Sequence, residues 1–441
     1  MANLIVELSK YLIILFMAVY TFACFSVFRY SDEESRNGIY IRQNVFMFLI
    51  HFVSFAALCI EMKDGRLILF YALQQITLFG VIVLYRVIYP NANRLIVNNM
   101  CLLLTIGFII LTRLSYDKAV RQFEIAIVSL AVTMLIPFAL KKFKYFDKFY
   151  WLYAAVGIVS LAVVMLFSGV VNGSKLNVTI ANHTFQPSEF VKIIFVFAIA
   201  GMLTKSTEFK QVVLSAAVAG LHVIILVLSK DLGSAVIFFV VYFAMLYVAT
   251  KKIGYYLLGF AGGSIAAVIG YRLFSHVRVR VQAWKDPIGT IEEAGYQISQ
   301  SLFAIGTGGW FGMGLGQGAP NKIPVVEADF VFSAITEEFG VIFGMCLILV
   351  CVSCFVMFMN ISMRFKNKFY KLVAVGLAVI YGFQVFLTIG GVTKFIPLTG
   401  VTLPLVSYGG SSVIVSLIMF AVIQGLYISV RDEIRPPKKK E

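Results

Sequence analysis

Residues 278–340 read RVRVQAWKDPIGTIEEAGYQISQSLFAIGTGGWFGMGLGQGAPNKIPVVEADFVFSAITEEFG, and no other long segment of the chain is so poorly suited to hydrocarbon. The stretch opens with Arg278, Arg280, Trp284, Lys285, Asp286 and Pro287, then passes Gly295-Tyr296-Gln297. It crosses a glycine-dense run from Gly306 to Gly318 and carries Asp329, Glu337 and Glu338 into an apolar segment. A charge costs roughly 2.5–3.5 kcal/mol to insert at a helix centre, so carboxylates led into a span mark a candidate functional site.

Around this loop the chain is apolar. It has 441 residues, 60% hydrophobic and 13% charged, with a mean hydropathy of +0.90, which exceeds what a soluble domain can bury. Apolar runs of about twenty residues recur from end to end, each able to cross about 30 Å of hydrocarbon. About thirteen such spans, from 11–28 to 407–430, predict an all-α polytopic membrane protein. The first run ends in Phe28-Arg29 with no small-residue cleavage site, so it reads as a span and not as a signal peptide.

The net charge of +15 does not call for nucleic acid, because the basic residues gather in short loops. Lys141, Lys142, Lys144 and Lys148, then Lys205 and Lys210, Lys251 and Lys252, Arg364 to Lys371, and the tail from Arg431 to Lys440 fall on alternate loops. That side is cytoplasmic by the positive-inside rule, which puts the C-terminus inside and the glycine-rich loop outside. The six cysteines lie in apolar segments, and the CxxC pair Cys351 and Cys354 reads as packing. His51, His183, His222 and His276 lack ligand spacing. Gly314-x-Gly316-x-x-Ala319 follows no strand and is no dinucleotide fingerprint; glycines at this density suit a loop folded tightly against helices. Asn177 and Asn182 open outer-loop sequons.

Arg278 and Arg280 suit an anionic group at the membrane surface, since guanidinium forks match phosphate oxygens; contact with lipid headgroups would use the same chemistry. Asp286, beside Trp284 and between basic residues, is a candidate general base. Asp329, Ser333, Thr336, Glu337 and Gly340 recur at helical spacing and form one polar face, which must point inward either as a structural ion pair or as a catalytic group. In Phe185-Gln186-Pro187-Ser188-Glu189, capping and pairing of Glu189 with Lys192 account for the residues present. Asp231-Leu232-Gly233-Ser234 reads as a turn and helix cap.

Together with Asp286-Pro287, Gly295-Tyr296-Gln297, Asp329-Phe330, Glu337-Glu338-Phe339-Gly340, Pro397-Leu398-Thr399-Gly400 and Leu403-Pro404 through Ser407-Tyr408-Gly409-Gly410-Ser411, these motifs resemble the shape, elongation, division and sporulation (SEDS) family of FtsW, RodA and SpoVE. The resemblance implies a bundle of about ten helices, here preceded by about three extra spans. It divides the chain into residues 1–95, a core at 96–431 with an extracellular loop at 275–328, and a basic cytoplasmic tail at 432–441. It further implies an inverting peptidoglycan glycosyltransferase that polymerises lipid II, the undecaprenyl-diphosphate-linked disaccharide-pentapeptide, at the outer face of the bacterial cytoplasmic membrane. Its partner would be a class B penicillin-binding protein, in elongation, division or sporulation. Asp286 takes the position of the essential acid, with Arg278, Arg280, Glu189, Lys192, Trp284, Gln297, Asp329 and Glu337 about the substrate. A divalent cation, Mg or Mn, is compatible with this chemistry without being required. The rival readings are a flippase for lipid-linked sugars and a non-catalytic scaffold. Two positions depart from the family pattern: Lys230 stands where proline usually precedes Asp-Leu-Gly, and Ser174-Lys175-Leu176 replace an arginine and tryptophan.

Overall fold

The computed structural model describes residues 2–30, 32–143, 145–167, 178–180 and 183–434. Lys144, Ser174-Lys175-Leu176, the sequon residues Asn177 and Asn182, and the tail beyond 434 lie outside the described residues. The helices are α1 (Ala2–Arg29), α2 (Glu33–Met62), α3 (Arg66–Ile88), α4 (Arg94–Leu114), α5 (Tyr116–Thr133), α6 (Ile136–Lys142) and α7 (Tyr150–Phe167). A short hairpin, β1 (Val178–Ile180) with β2 (His183–Phe185), precedes α8 (Pro187–Lys205), α9 (Phe209–Leu228), α10 (Leu232–Thr250), α11 (Ile253–Leu273), α12 (Ser275–Lys285) and α13 (Tyr296–Gly308). The chain ends with α14 (Val331–Met363), α15 (Lys368–Val392) and α16 (Gly410–Ile434). Among the described residues, 13 helical segments are long and apolar enough to cross a membrane, and each corresponds to an expected span. The hairpin was not anticipated, but its strands of three residues leave the all-α class intact.

Helix ends follow local chemistry. The second span begins at Glu33, ahead of its apolar run, because Asp32 accepts the Ser35 N–H at 2.8 Å and caps the helix there. Pro137 cannot donate a backbone hydrogen bond, and the fifth span divides just before it into α5 and α6.

Helix α4 is the axis of the bundle, with every residue from Leu95 to Thr112 buried. Its two asparagines must find partners inside the membrane. Asn99 Oδ1 accepts from Tyr20 Oη at 3.0 Å, and Asn99 Nδ2 donates to Ser353 Oγ at 2.8 Å. Asn98 Nδ2 donates to Gln43 Oε1 at 2.9 Å. The polar atoms of α1 and α2 are thereby fastened through α4 to α14. Helix α11 is the opposite case: only Gly259 is buried, against Phe243, and nearly all of the rest is exposed.

The glycine run answers a break in α14. Gly340 has φ +87°, so the helical bonds from Val341 and Ile342 back to Glu337 and Glu338 are missing. Val341 N–H instead donates to Gly309 O at 2.9 Å and Ile342 N–H to Trp310 O at 3.3 Å. The freed carbonyls of Glu337 and Glu338 accept from Met313 and Gly314 N–H, both at 2.9 Å. So close an approach of two backbones leaves no room for Cβ: one at Gly312 would fall on Glu338 O, and one at Gly340 on Trp310 O. Gly340→Ala should therefore destabilise by about 2 kcal/mol or more, from the left-handed backbone and the overlap together. Gly262→Ala on α11, with nothing within 4 Å of the new Cβ, should leave the apparent melting temperature in detergent unchanged or slightly raised.

Candidate active site

The site is organised on the loop between α15 and α16, residues 393–409, onto which four segments converge. The first is the start of α8. Pro187 occupies the first turn, and Ser188 Oγ donates to Asp231 Oδ2 at 2.9 Å. Asp231 Oδ1 accepts the Ser234 N–H at 3.0 Å, so this carboxylate caps α10 as expected and also ties α10 to α8. Lys230, just before it, has φ +63°. Proline is fixed near −65° and cannot adopt that conformation, so the departure at Lys230 belongs to a differently built turn.

One turn into α8, Glu189 Oε1 meets Lys192 Nζ at 2.7 Å. Lys192 is 1% exposed and donates also to Gln384 Oε1 at 3.1 Å, while Gln384 Nε2 donates to Thr402 O at 3.1 Å. The expected pair of Glu189 and Lys192 is thus buried and completed by α15. Removing one partner of such a pair costs roughly 3–5 kcal/mol, because the other is left charged and alone. Gln384 escaped the sequence reading; its signal was an isolated amide within an apolar span.

The second segment is α12, docked by two donors one turn apart. Arg280 Nη1 donates to Leu398 O at 3.3 Å and Thr399 O at 3.1 Å, and Trp284 Nε1 donates to Lys394 O at 3.1 Å. Arg278 is exposed on another face and reaches only Arg272 O, at 3.4 Å, so the structure does not pair the two arginines. At the end of α12, Asp286 is exposed; its Oδ1 accepts the Gly289 N–H at 2.8 Å, and Oδ2 has no hydrogen-bond partner among the described residues.

The third segment, residues 327–329, is fixed by Tyr408 N–H donating to Glu327 O at 2.7 Å and Ser407 Oγ to Ala328 O at 2.6 Å. Lys118 pairs with Glu327. Asp329 precedes α14 and is half-buried beside Gly400, whose Cβ position lies 3.5 Å from Asp329 Oδ2. Burial pushes the Asp329 carboxyl up to about 6, with Arg280 opposing and Glu327 reinforcing the shift. Burial in turn lowers Arg280, which Asp329 and Asp231 draw back up. The fourth segment is α5, where Gln122 brackets the loop, donating to Ser407 O at 2.7 Å and accepting the Gly409 N–H at 3.0 Å.

The expected polar face divides. Asp329 stands apart, ahead of α14 and within the electrostatic field of Arg280. Ser333 bonds Ser301 at 2.7 Å, Thr336 bonds its own helix, and Glu337 Oε1 accepts the Ala319 N–H at 3.0 Å. Its neighbour Glu338 meets Arg113 Nε at 2.9 Å, and Arg113 also donates to Gly316 O and Gly318 O. Glu337 and Glu338 therefore hold the glycine run. Gln297 lies half-buried on α13, and its side chain has no hydrogen bond among the described residues. The described cysteines are free, and among the described residues no three His, Cys, Asp or Glu side chains group as metal ligands.

A multi-pass membrane protein with a polar site at one end of the bundle is the class these features define. The FtsW, RodA and SpoVE family, described as cell cycle protein, matches residues 69–431, and the chain belongs to it. The match begins within α3, ahead of the motifs that carry the resemblance. Peptidoglycan glycosyltransferase RodA of Mycobacterium tuberculosis is 29% identical over 408 residues, covering 84% of this chain and 86% of the relative. A probable peptidoglycan glycosyltransferase FtsW of Aliivibrio salmonicida is 34% identical over 298 residues, covering 64% and 72%. Two solved structures share the fold. One, described as structural coordination of polymerization and crosslinking by a peptidoglycan synthase complex, has a TM-score of 0.65 at 23% identity, over 78% of this chain and 99% of that one. The rod shape determining protein RodA of Thermus thermophilus has a TM-score of 0.55 at 23% identity, over 77% and 97%.

The raised Asp329 carboxyl makes a signed prediction. Its contribution to stability is fully present below the ordinary carboxylate range and is lost as pH rises through about 6. Between those limits the wild type should lose melting temperature relative to Asp329→Asn; parallel curves would show that the carboxyl is not shifted.

Proposed function

We propose that the chain polymerises lipid II at the outer face of the bacterial cytoplasmic membrane by single displacement with inversion, and that Asp286 is the base. It is a peptidoglycan glycosyltransferase of its family. The observation that carries the assignment of Asp286 is the docking of α12: Arg280 and Trp284 fix the helix, leaving Asp286 exposed at its end with one oxygen free.

In this mechanism Asp286 takes the proton of the acceptor sugar hydroxyl. The oxygen attacks the anomeric carbon of the donor, and the bond to the lipid diphosphate breaks. Negative charge develops on the diphosphate, where the exposed Arg278 offers its guanidinium and Arg280 adds a fixed positive field. Trp284 and Gln297 border the sugars. Asp329 adds a negative field near Arg280, which the Leu398 and Thr399 carbonyls hold in place, and Lys192, closed off by Glu189 and Gln384, supports the loop from below. A divalent cation, magnesium or manganese, would be bound chiefly by the diphosphate with one or two carboxylates, as magnesium usually is. A class B penicillin-binding protein is the partner this reading implies, and the fold shared with a peptidoglycan synthase complex supports it.

Asp286→Asn keeps size and polarity but removes the proton acceptor, so turnover with lipid II should fall about 10²–10⁴-fold at unchanged melting temperature. Arg278→Ala should weaken substrate retention without loss of stability, whereas Arg280→Ala should lower both. Near-native polymerisation by Asp286→Asn would transfer the base role to Asp329. Orientation has its own test: in intact cells a cysteine at Lys322 should react with an impermeant maleimide and one at Lys368 should not. The reverse pattern would place the site on the wrong side of the membrane.

A further inference from the structure

Outside the site, convergent charge and open volume coincide at the other end of the bundle. Helix α16 starts beside the site at Ser411, and Arg431 lies roughly 30 Å further along it at helical rise. There the first turns of α2, the α3–α4 turn, the start of α4 and the end of α16 enclose a cleft of about 170 Å³. Arg36, Arg94 and Arg431 line it, together with Asn91, Tyr40 and Tyr427. Arg431 is paired with Glu33. The nearby Asp432 is engaged by Lys141 at 2.6 Å and Asn91 at 2.7 Å. Arg36 and Arg94 form no ion pair among the described residues: Arg36 Nε donates to Tyr30 O at 2.7 Å, and Arg94 Nη1 donates to Asn37 Oδ1 at 2.6 Å.

Basic residues at this rim also serve topology, but topology needs only positive charge in the loops. It does not need guanidinium groups from three helices to converge on one concavity. We propose that this cleft binds a phosphate-bearing anion, held by the forks of Arg36 and Arg94 with the amide of Asn91 beside them. A narrow crevice lined mainly by apolar area shares Tyr40, Pro90, Ala92 and Arg94 with the cleft and continues along Ile82 and Val97. At this rim of the bundle a lipid headgroup is the expected source, and a free phosphate is the other source of the same chemistry. The ligand would bridge α2, outside the matched family region, to α4 and α16 within it.

The test uses the full chain in nanodiscs of phosphatidylcholine with or without phosphatidylglycerol, and in detergent with or without inorganic phosphate. Native mass spectrometry reads retained lipid, and melting temperature reads stabilisation. Wild type should retain phosphatidylglycerol about tenfold better than the Arg36→Gln/Arg94→Gln variant. Arg94→Lys should fall between them, because it keeps the charge and loses the fork. A melting-temperature rise with inorganic phosphate that the double variant lacks, without lipid preference, assigns the cleft to free phosphate. Should the double variant fold poorly, the half-exposed Arg36→Gln alone carries the comparison. Equal retention by wild type and variant, with no effect of phosphate on either, would overturn the proposal.

Discussion

A transmembrane helix that breaks within a bundle must give its freed backbone groups new partners, because hydrocarbon supplies none. Helix α14 breaks at Gly340, and the carbonyls and amides released there are met one for one by residues 309–314. The match requires backbone against backbone, which only glycine on both sides permits. Everything between α12 and α14 depends on this exchange. It folds the glycine-rich loop back onto the bundle, and Glu337, Glu338 and Arg113 reinforce it with side chains that would otherwise be costly at that depth.

The second constraint follows from the first. With the glycine run fixed to α14, the segment before α14 is held against residues 407–408, which puts Asp329 beside Gly400 and within the electrostatic field of Arg280. Arg280 then fixes α12 to carbonyls of the same loop, and Asp286 follows at the helix end. Beneath it, the Lys192, Gln384 and Thr402 bonds couple α8 and α15 to that loop. The exposed Asp286 is thus positioned by polar contacts rooted in the bundle, the kind of rigid support that the proposed base would need.

Much of this architecture is legible in the sequence because it is written locally. Span length, the proline at the start of α8, the Asp231 cap and the close packing of the glycines each depend on a few neighbouring residues. The pairings that build the site are not local. Arg113 meets a glycine run 203 residues away, and Lys192 meets Gln384 at a separation of 192. No periodicity carries that information. The division of the polar face is hidden for a related reason: helical spacing places Asp329 and Glu337 together, but Asp329 precedes the helix and Glu337 sits at the break. Nor does hydropathy distinguish α4, wholly buried, from α11, almost wholly exposed, since packing partners and lipid are equally apolar.

The proposed reaction is a single displacement assisted by one base. Its most direct test is the anomeric configuration of the bond formed when the purified chain polymerises isotopically labelled lipid II, read by NMR of the glycan. A configuration opposite to that of the donor's bond to diphosphate is the predicted result. Retention would require a covalent glycosyl intermediate on a second nucleophile, and would contradict the mechanism drawn from Asp286 and its surroundings.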